Sequence, residues 1–116
     1  MIGPHAYLRD AVIIGRNARV GHAAEVKGSV LFPGAKATHK TTVLDSILGH
    51  GVNFSGHLVS PNTRFDNHTI RLRLPQGGRV ETGLRKLGVI VGDGAKIACN
   101  VHLQPGDLIL PGTRLY

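Results

Sequence analysis

Four histidines recur at a regular interval, and their side chains could do chemistry. His5, His22, His39 and His57 lie 17 or 18 residues apart. An imidazole with its ordinary pKa of about 6.5 exchanges protons near neutral pH, and its neutral form binds metals. The interval fits a proton-transfer base, a stack of packed or interfacial side chains, or a metal site. Zinc requires ligands that converge on one point, whereas a stack directs its histidines in parallel, so the spacing disfavours a metal site.

An excess of cationic side chains indicates an anionic partner. The chain has 14 Lys and Arg against 7 Asp and Glu, for a formal net charge of +7. Such a balance favours a phosphorylated small molecule, a nucleotide cofactor or a nucleic acid. Proteins that bind single-stranded nucleic acid add stacking aromatic side chains to their basic surface. The few aromatic residues here are Tyr7, Phe32, Phe54, Phe65 and Tyr116. The composition therefore favours a small phosphorylated ligand over nucleic acid.

Cysteine usage and hydropathy indicate a cytoplasmic protein. Cys99 is the only cysteine, which excludes an intrachain disulfide and is typical of a reducing compartment. No apolar run approaches the roughly 18 residues of a membrane span. The first ten residues also lack the apolar stretch of a secretion signal.

The elements that position these side chains repeat about every six residues. An aliphatic residue, or once Phe, recurs at steps of six, with five-residue steps after Val26 and Val43. The repeated positions are Ile2, Leu8, Ile14, Val20, Val26, Leu31, Ala37, Val43, Leu48, Phe54, Val91, Ile97, Leu103, Ile109 and Leu115. A helix would need steps of three and four, and a half-buried strand steps of two. The period predicts an all-β, left-handed parallel β-helix in which three units form one coil. The alternative is a flat all-β domain with regularly spaced short strands.

One segment, at about residues 61–86, breaks the repeat. Apolar and polar residues alternate over 69–74, QGG forms a turn, and residues 79–81 provide a returning strand. We therefore expect a hairpin arm that projects from the solenoid. Its many arginines predict contact with a phosphate or with a neighbouring subunit, and a solvated loop is the alternative. Both ends of the chain fall within a coil, so residues 1–116 are expected to be one β-helix domain of a longer protein.

Several runs of residues resemble a known family. They are NARVGHAAEVKGSVLFPGAKATH, VLDSILGHGVN, PNTRFD and KLGVIVGDGAKIACNV. Together they are similar to the hexapeptide-repeat C-terminal domain of sugar-1-phosphate nucleotidyltransferases. The greatest similarity is to the glucosamine-1-phosphate acetyltransferase domain of the bifunctional N-acetylglucosamine-1-phosphate uridyltransferases. The resemblance extends from Ile2 to Thr113. It implies a homotrimer that transfers an acetyl group from acetyl-CoA to the amine of glucosamine 1-phosphate, between subunits.

The resemblance also implies which residues bind the sugar phosphate. Arg9 and Lys27 match the family's phosphate ligands. A guanidinium can grip two phosphate oxygens at once, and an ammonium acts as a point charge. Asn53 and Asn62 match two asparagines that supply neutral donors to the substrate and to the oxyanion.

The catalytic residues that the resemblance implies are a histidine and a carboxylate. His39 matches the histidine that removes a proton from the attacking amine, for which an imidazole is suited. Glu25 matches the carboxylate that orients this histidine and stabilises its charged form. The residues that would bind the coenzyme are not identified by the resemblance.

Departures from the family pattern leave a second function open. Thr42 stands where the family has Tyr, Leu44 replaces a glycine, and residues 54–58 replace small residues beside the acetyl-CoA arm. Ala98 and Cys99 replace a glycine-rich turn. The alternative is therefore a non-catalytic trimerisation or regulatory domain of a sugar-1-phosphate nucleotidyltransferase. Nucleotidyltransferase activity itself is excluded, because these residues contain no glycine-rich phosphate loop.

Overall fold

Each repeat unit folds as a strand of two or three residues followed by a tight turn. A computed structural model describes residues 1–116, which contain no helix and so none that could cross a membrane. The strands are β1 (Tyr7–Arg9), β2 (Ile13–Ile14), β3 (Arg19–Val20), β4 (Glu25–Lys27), β5 (Val30–Leu31), β6 (Lys36–Ala37), β7 (Thr42–Leu44), β8 (Ile47–Leu48), β9 (Asn53–Phe54), β10 (Val59–Ser60), β11 (Arg71–Arg73), β12 (Arg79–Glu81), β13 (Ile90–Val91), β14 (Lys96–Ile97), β15 (Leu108–Ile109) and β16 (Arg114–Leu115).

Three parallel sheets form the faces of a left-handed β-helix, as the repeat predicted. Face 1 contains the four strands β1, β4, β7 and β10. Face 2 contains the five strands β2, β5, β8, β13 and β15, and face 3 the five strands β3, β6, β9, β14 and β16. Every pairing within the faces is parallel, so equivalent side chains of successive coils lie directly above one another.

The repeated aliphatic residues form the core. One cluster of 18 buried hydrophobic residues runs through the solenoid, and Phe54 is its largest member. Each fully buried Val, Leu or Ile side chain stabilises the fold by about 1.5–3 kcal/mol relative to its exposed state. A core this narrow has room for aliphatic side chains, which explains the scarcity of aromatic residues.

The corner between faces 1 and 2 is one residue shorter where the repeat takes five-residue steps, after Val26 and Val43. Two buried serines stabilise this shorter corner. Ser29 Oγ donates to the Lys27 carbonyl at 2.8 Å and accepts from the Ser46 N–H at 3.0 Å. Ser46 Oγ in turn accepts from the Val89 N–H at 2.9 Å. These hydroxyls satisfy backbone groups that the five-residue steps leave without strand partners. The corner therefore holds Lys27 and the residues beside it in fixed positions.

The interruption of the repeat is an antiparallel hairpin, as predicted. Strands β11 and β12 pair with Arg71 opposite Glu81. The arm leaves the solenoid after β10 and returns before β13, and its base is closed by a hydrogen bond from the Leu87 N–H to the Asn62 carbonyl at 3.0 Å. Arg73 N–H donates to the Gly106 carbonyl at 3.1 Å, so the arm also contacts the last coil.

Candidate functional site

Two of the predicted substrate ligands meet on one carboxylate. Lys27 Nζ donates to both carboxylate oxygens of Asp45, at 3.0 and 2.8 Å. Asn62 Nδ2 donates to Asp45 Oδ2 at 2.8 Å. The side chains of Lys27 and Asp45 are only 12% and 18% exposed. The structure thus brings Lys27 and Asn62 together through a residue that the sequence prediction did not include.

Asp45 reaches this position because of the backbone at the corner. It has a φ of 46°, in the left-handed region, and its N–H donates to the Lys27 carbonyl at 2.8 Å. Gly28 occupies the equivalent place one coil earlier, and a Cβ atom there would lie 2.5 Å from Asp45 Oδ1. The signal available in the sequence was an Asp one coil after Lys27, beside a glycine that leaves space for it.

Arg9 and Lys27 lie side by side on face 1. Their Cα atoms are partners in the pairing of β1 with β4. Arg9 Nε donates to Glu25 Oε2 at 2.8 Å, and this hydrogen bond raises the pKa of the Arg9 guanidinium. The side chains of Arg9 and Glu25 are 39% and 34% exposed. Two cations in adjacent strands are close enough to bind one phosphate group together.

Each of these cations is already paired with a carboxylate. The charges of Arg9, Glu25, Lys27 and Asp45 cancel, so a phosphate must compete with at least one carboxylate. The Arg9–Glu25 pair is the more exposed of the two, and exposed pairs contribute little stability. Arg9 is therefore the cation more readily available to a ligand.

His39 lies at the corner between faces 3 and 1, in the turn between β6 and β7. Its carbonyl accepts from the His57 N–H at 3.3 Å, and its ring lies over Gly56, where a Cβ atom would be 2.7 Å from Nε2. The His57 ring packs edge-on against it at a centroid distance of 5.7 Å. The carboxylate of Glu25 accepts from Arg9 rather than from His39.

The four recurring histidines form two pairs rather than a single stack. His5 packs edge-on against His22 at 5.7 Å, as His57 does against His39. His22 and His39 occupy equivalent corner positions, whereas His5 and His57 lie one residue further along, with φ of 60° and 65°. No group of three or more His, Cys, Asp or Glu has an arrangement that could hold a metal ion.

Asn53 lies on face 3, apart from the Lys27–Asp45–Asn62 cluster. It is paired between Lys36 and Lys96, and its Nδ2 donates to Ser55 Oγ at 3.3 Å. The predicted substrate ligands are thus divided between face 1 and face 3, on either side of the His39 corner.

The side chains that replace small residues at 54–58 lie partly inside the solenoid. Phe54 and Leu58 are buried in the core, so neither obstructs a ligand on the outer surface. His57 is exposed at the corner, and it alone of the larger side chains in this segment adds volume outside the solenoid.

Comparisons with known proteins find relatives of the chain among bifunctional enzymes. It is 36% identical over 114 residues to a bifunctional sugar-1-phosphate nucleotidylyltransferase/acetyltransferase of Sulfurisphaera tokodaii. The matched region covers 98% of this chain and 28% of that protein. The chain is 38% identical over 104 residues to the bifunctional protein GlmU of Methanocaldococcus jannaschii, covering 90% of this chain and 25% of that protein. The chain thus spans about a quarter of the length of these relatives. No protein-family profile matches it.

Proposed function

Since this chain is similar over most of its length to about a quarter of the length of the bifunctional sugar-1-phosphate nucleotidylyltransferase/acetyltransferases, we propose that it is an acyltransferase domain. Its reaction is the transfer of an acetyl group from acetyl-CoA to the amine of an amino-sugar phosphate such as glucosamine 1-phosphate. The observation that carries the substrate class is the pair of cations Arg9 and Lys27 in adjacent strands, with Asn62 beside them.

The phosphate enters by displacing a carboxylate. It takes the place of Glu25 on Arg9, since that ion pair is the more exposed, while Lys27 stays held by Asp45 and supplies a fixed positive charge. The displaced carboxylate of Glu25 then becomes available for the role beside His39 that the resemblance implies. Binding of the sugar phosphate would in this way prepare the catalytic base.

His39 acts as the general base. It accepts a proton from the sugar amine as the nitrogen attacks the thioester carbonyl carbon. Asn53 donates a hydrogen bond to the oxygen that becomes negative. The C–S bond then breaks, the amide forms, and the proton on His39 is available to the departing thiolate. Acetyl-CoA supplies the activated acetyl group, and this chain positions the amine and moves its proton.

The proposal includes assembly of the chain as a homotrimer, in which face 2 contacts further copies. Face 2 presents a continuous outward column of aliphatic side chains, one from each of its five strands. The column consists of Ile13, Val30, Ile47, Ile90 and Leu108. Ile13 is 63% exposed and Ile47 is 39% exposed in the single chain. An apolar sheet face of this extent favours contact with further copies of the chain.

The test compares two equivalent histidines. Turnover of acetyl-CoA with glucosamine 1-phosphate is measured on protein whose mass in solution has been determined. His39→Ala should lower turnover by about 10²–10⁴-fold, the usual contribution of a general base. His22→Ala changes the equivalent position one coil earlier and should leave turnover nearly unaltered. Equal losses in the two variants, or no loss in His39→Ala, would remove His39 from the mechanism.

The second candidate function is a non-catalytic trimerisation or regulatory domain. The charge-balanced cluster on face 1 and the exposed His57 at the corner favour it. It predicts a stable trimer with no turnover and no saturable binding of acetyl-CoA at millimolar concentration. Calorimetry with acetyl-CoA, with and without glucosamine 1-phosphate, distinguishes the two candidates.

A further inference from the structure

A cleft lies between the arm and the last coil of the solenoid. It has a volume of about 670 Å³. Small-molecule sites commonly have volumes of about 300–1,000 Å³. The arm supplies one wall, and Leu103, Gln104 and Pro105 supply the other. None of the residues proposed above for acyl transfer lines this cleft.

The arm turns its charged side towards the solenoid. Side chains alternate across a strand, and those of Arg71, Arg73 and Arg79 line the cleft, while Leu72 and Val80 fall on the opposite face. Val80 is 46% exposed. Leu72 is nevertheless the least exposed residue of β11, so the cleft combines arginine side chains with apolar neighbours such as Ile70.

The positive charge of this cleft is only partly neutralised. Arg73 Nη1 lies 3.1 Å from Asp107 Oδ1, and Arg71 Nε lies 3.5 Å from Glu81 Oε2. Arg64 and Asp66, which also line the cleft, form an ion pair with each other. Arg79 has no carboxylate partner, and it stands directly opposite Arg73 in the hairpin. Like charges in opposite positions of an antiparallel pair are destabilising. An anion bound between these two guanidinium groups would remove that repulsion.

An aromatic ring at the same cleft narrows the ligand class. Phe65 lines the cleft and is fully exposed, whereas Ile70 beside it is buried. Arginine forks match phosphate oxygens, and an exposed aromatic ring offers a stacking surface to a nucleobase. We propose that this cleft binds a nucleoside diphosphate, with its phosphates on Arg73 and Arg79 and its base on Phe65. The ligand is either a free nucleotide or the nucleotide part of a larger molecule such as a coenzyme or a sugar nucleotide.

Calorimetry on the intact assembly at about 0.15 M salt, where exposed charges are screened, tests the proposal. The probes are ADP, UDP, inorganic pyrophosphate and adenosine. Arg79→Glu should weaken ADP binding at least about 10-fold, because it replaces a cation that would bind phosphate with a carboxylate that repels it. Arg19→Glu is the matched control, since Arg19 is exposed on face 3 and makes no ion pair. It should change the affinity less than about 2-fold.

Phe65→Ala separates the base from the phosphates. Base–aromatic stacking contributes about 1–3 kcal/mol, so ADP binding should weaken by roughly 5–150-fold while pyrophosphate binding stays unchanged. Absence of binding, or equal weakening by Arg79→Glu and Arg19→Glu, would overturn the site. Equal affinities for ADP and pyrophosphate would overturn the nucleoside assignment.

Two further comparisons identify the source of the nucleotide and separate this site from acyl transfer. Tighter binding of acetyl-CoA or of a uridine diphosphate sugar than of ADP or UDP, with the same sensitivity to Arg79→Glu, would identify the larger molecule. His39→Ala should leave ADP binding intact, so failure of the acyltransferase proposal would not be mistaken for failure of this one.

Discussion

The solenoid and the arm each contain a cation paired with a carboxylate, but the pair in the solenoid is far more buried than the pair in the arm. Lys27 and Asp45 are 12% and 18% exposed, and Asn62 adds a further hydrogen bond to the carboxylate. Arg71 and Glu81, in the arm, are 56% and 50% exposed at a separation of 3.5 Å. Burial makes the first pair a part of the framework, because neither partner can be left alone without a desolvation cost. The second pair can open at little cost, which keeps arginines of the arm available to a ligand.

Removing one cation from each pair tests this comparison, and the largest effect is expected here. Lys27→Ala should lower the free energy of unfolding by about 3 kcal/mol, since it leaves the largely buried carboxylate of Asp45 without its cation. Arg71→Ala should lower it by less than about 1 kcal/mol, as is usual for exposed pairs. Urea denaturation of both variants measures the difference.

The double variant Lys27→Ala/Asp45→Ala sharpens this result. It should recover much of the loss, because no unpaired charge remains in the corner. Equal losses in the two single variants would mean that burial does not distinguish the two regions.

A steric test of the same corner gives a smaller effect. Gly28 and Gly51 both have positive φ, at 56° and 64°. A Cβ atom at Gly28 would lie 2.5 Å from Asp45 Oδ1, whereas one at Gly51 would meet nothing within 4 Å. Gly51→Ala should cost about 1 kcal/mol from backbone strain alone. Gly28→Ala should cost about 2 kcal/mol, because it also displaces Asp45 from Lys27. Thermal unfolding compares them, and identical midpoints would show that the Asp45 contact is easily rearranged.

The solenoid and its arm were predictable from sequence because the signals that determine them are local. Each unit carries its own inward aliphatic residue, and the five-residue steps after Val26 and Val43 coincide with the serine corner. The arm was predictable because alternation and the QGG turn specify a hairpin within a dozen residues.

The side-chain partners were not predictable in the same way. Asp45 joins Lys27 because the corner backbone places its carboxylate one coil away, a relation that no short motif expresses. The interval between His39 and His57 is one residue longer than the preceding one. This shift places His57 at a left-handed position and produces an edge-on pair instead of a continuous stack. The order of residues fixes the coil on which a side chain lies, but the turn geometry decides which partner it meets.

Acid should loosen the arm before the solenoid, and this is the smallest effect that we expect. The hydrogen bond from Arg64 lowers the pKa of the Asp66 carboxyl, and a backbone N–H bond from Gly83 lowers the pKa of the Glu81 carboxyl. A carboxyl whose pKa is lower in the folded state stabilises the fold above its ordinary pKa of about 4, and this contribution is lost as the pH falls further. Both carboxyls lie in the arm, whereas the solenoid strands are held chiefly by an apolar core that does not titrate.

Amide hydrogen exchange, corrected for the intrinsic effect of pH, therefore compares residues 61–86 with the face strands at pH 6 and pH 3. Protection should fall first in the arm, and Asp66→Asn should reduce the difference between the two pH values there. Parallel loss of protection in both regions would indicate that the arm and the solenoid unfold as one unit, and that the exposed charges of the arm are as firmly fixed as the buried ones of the corner.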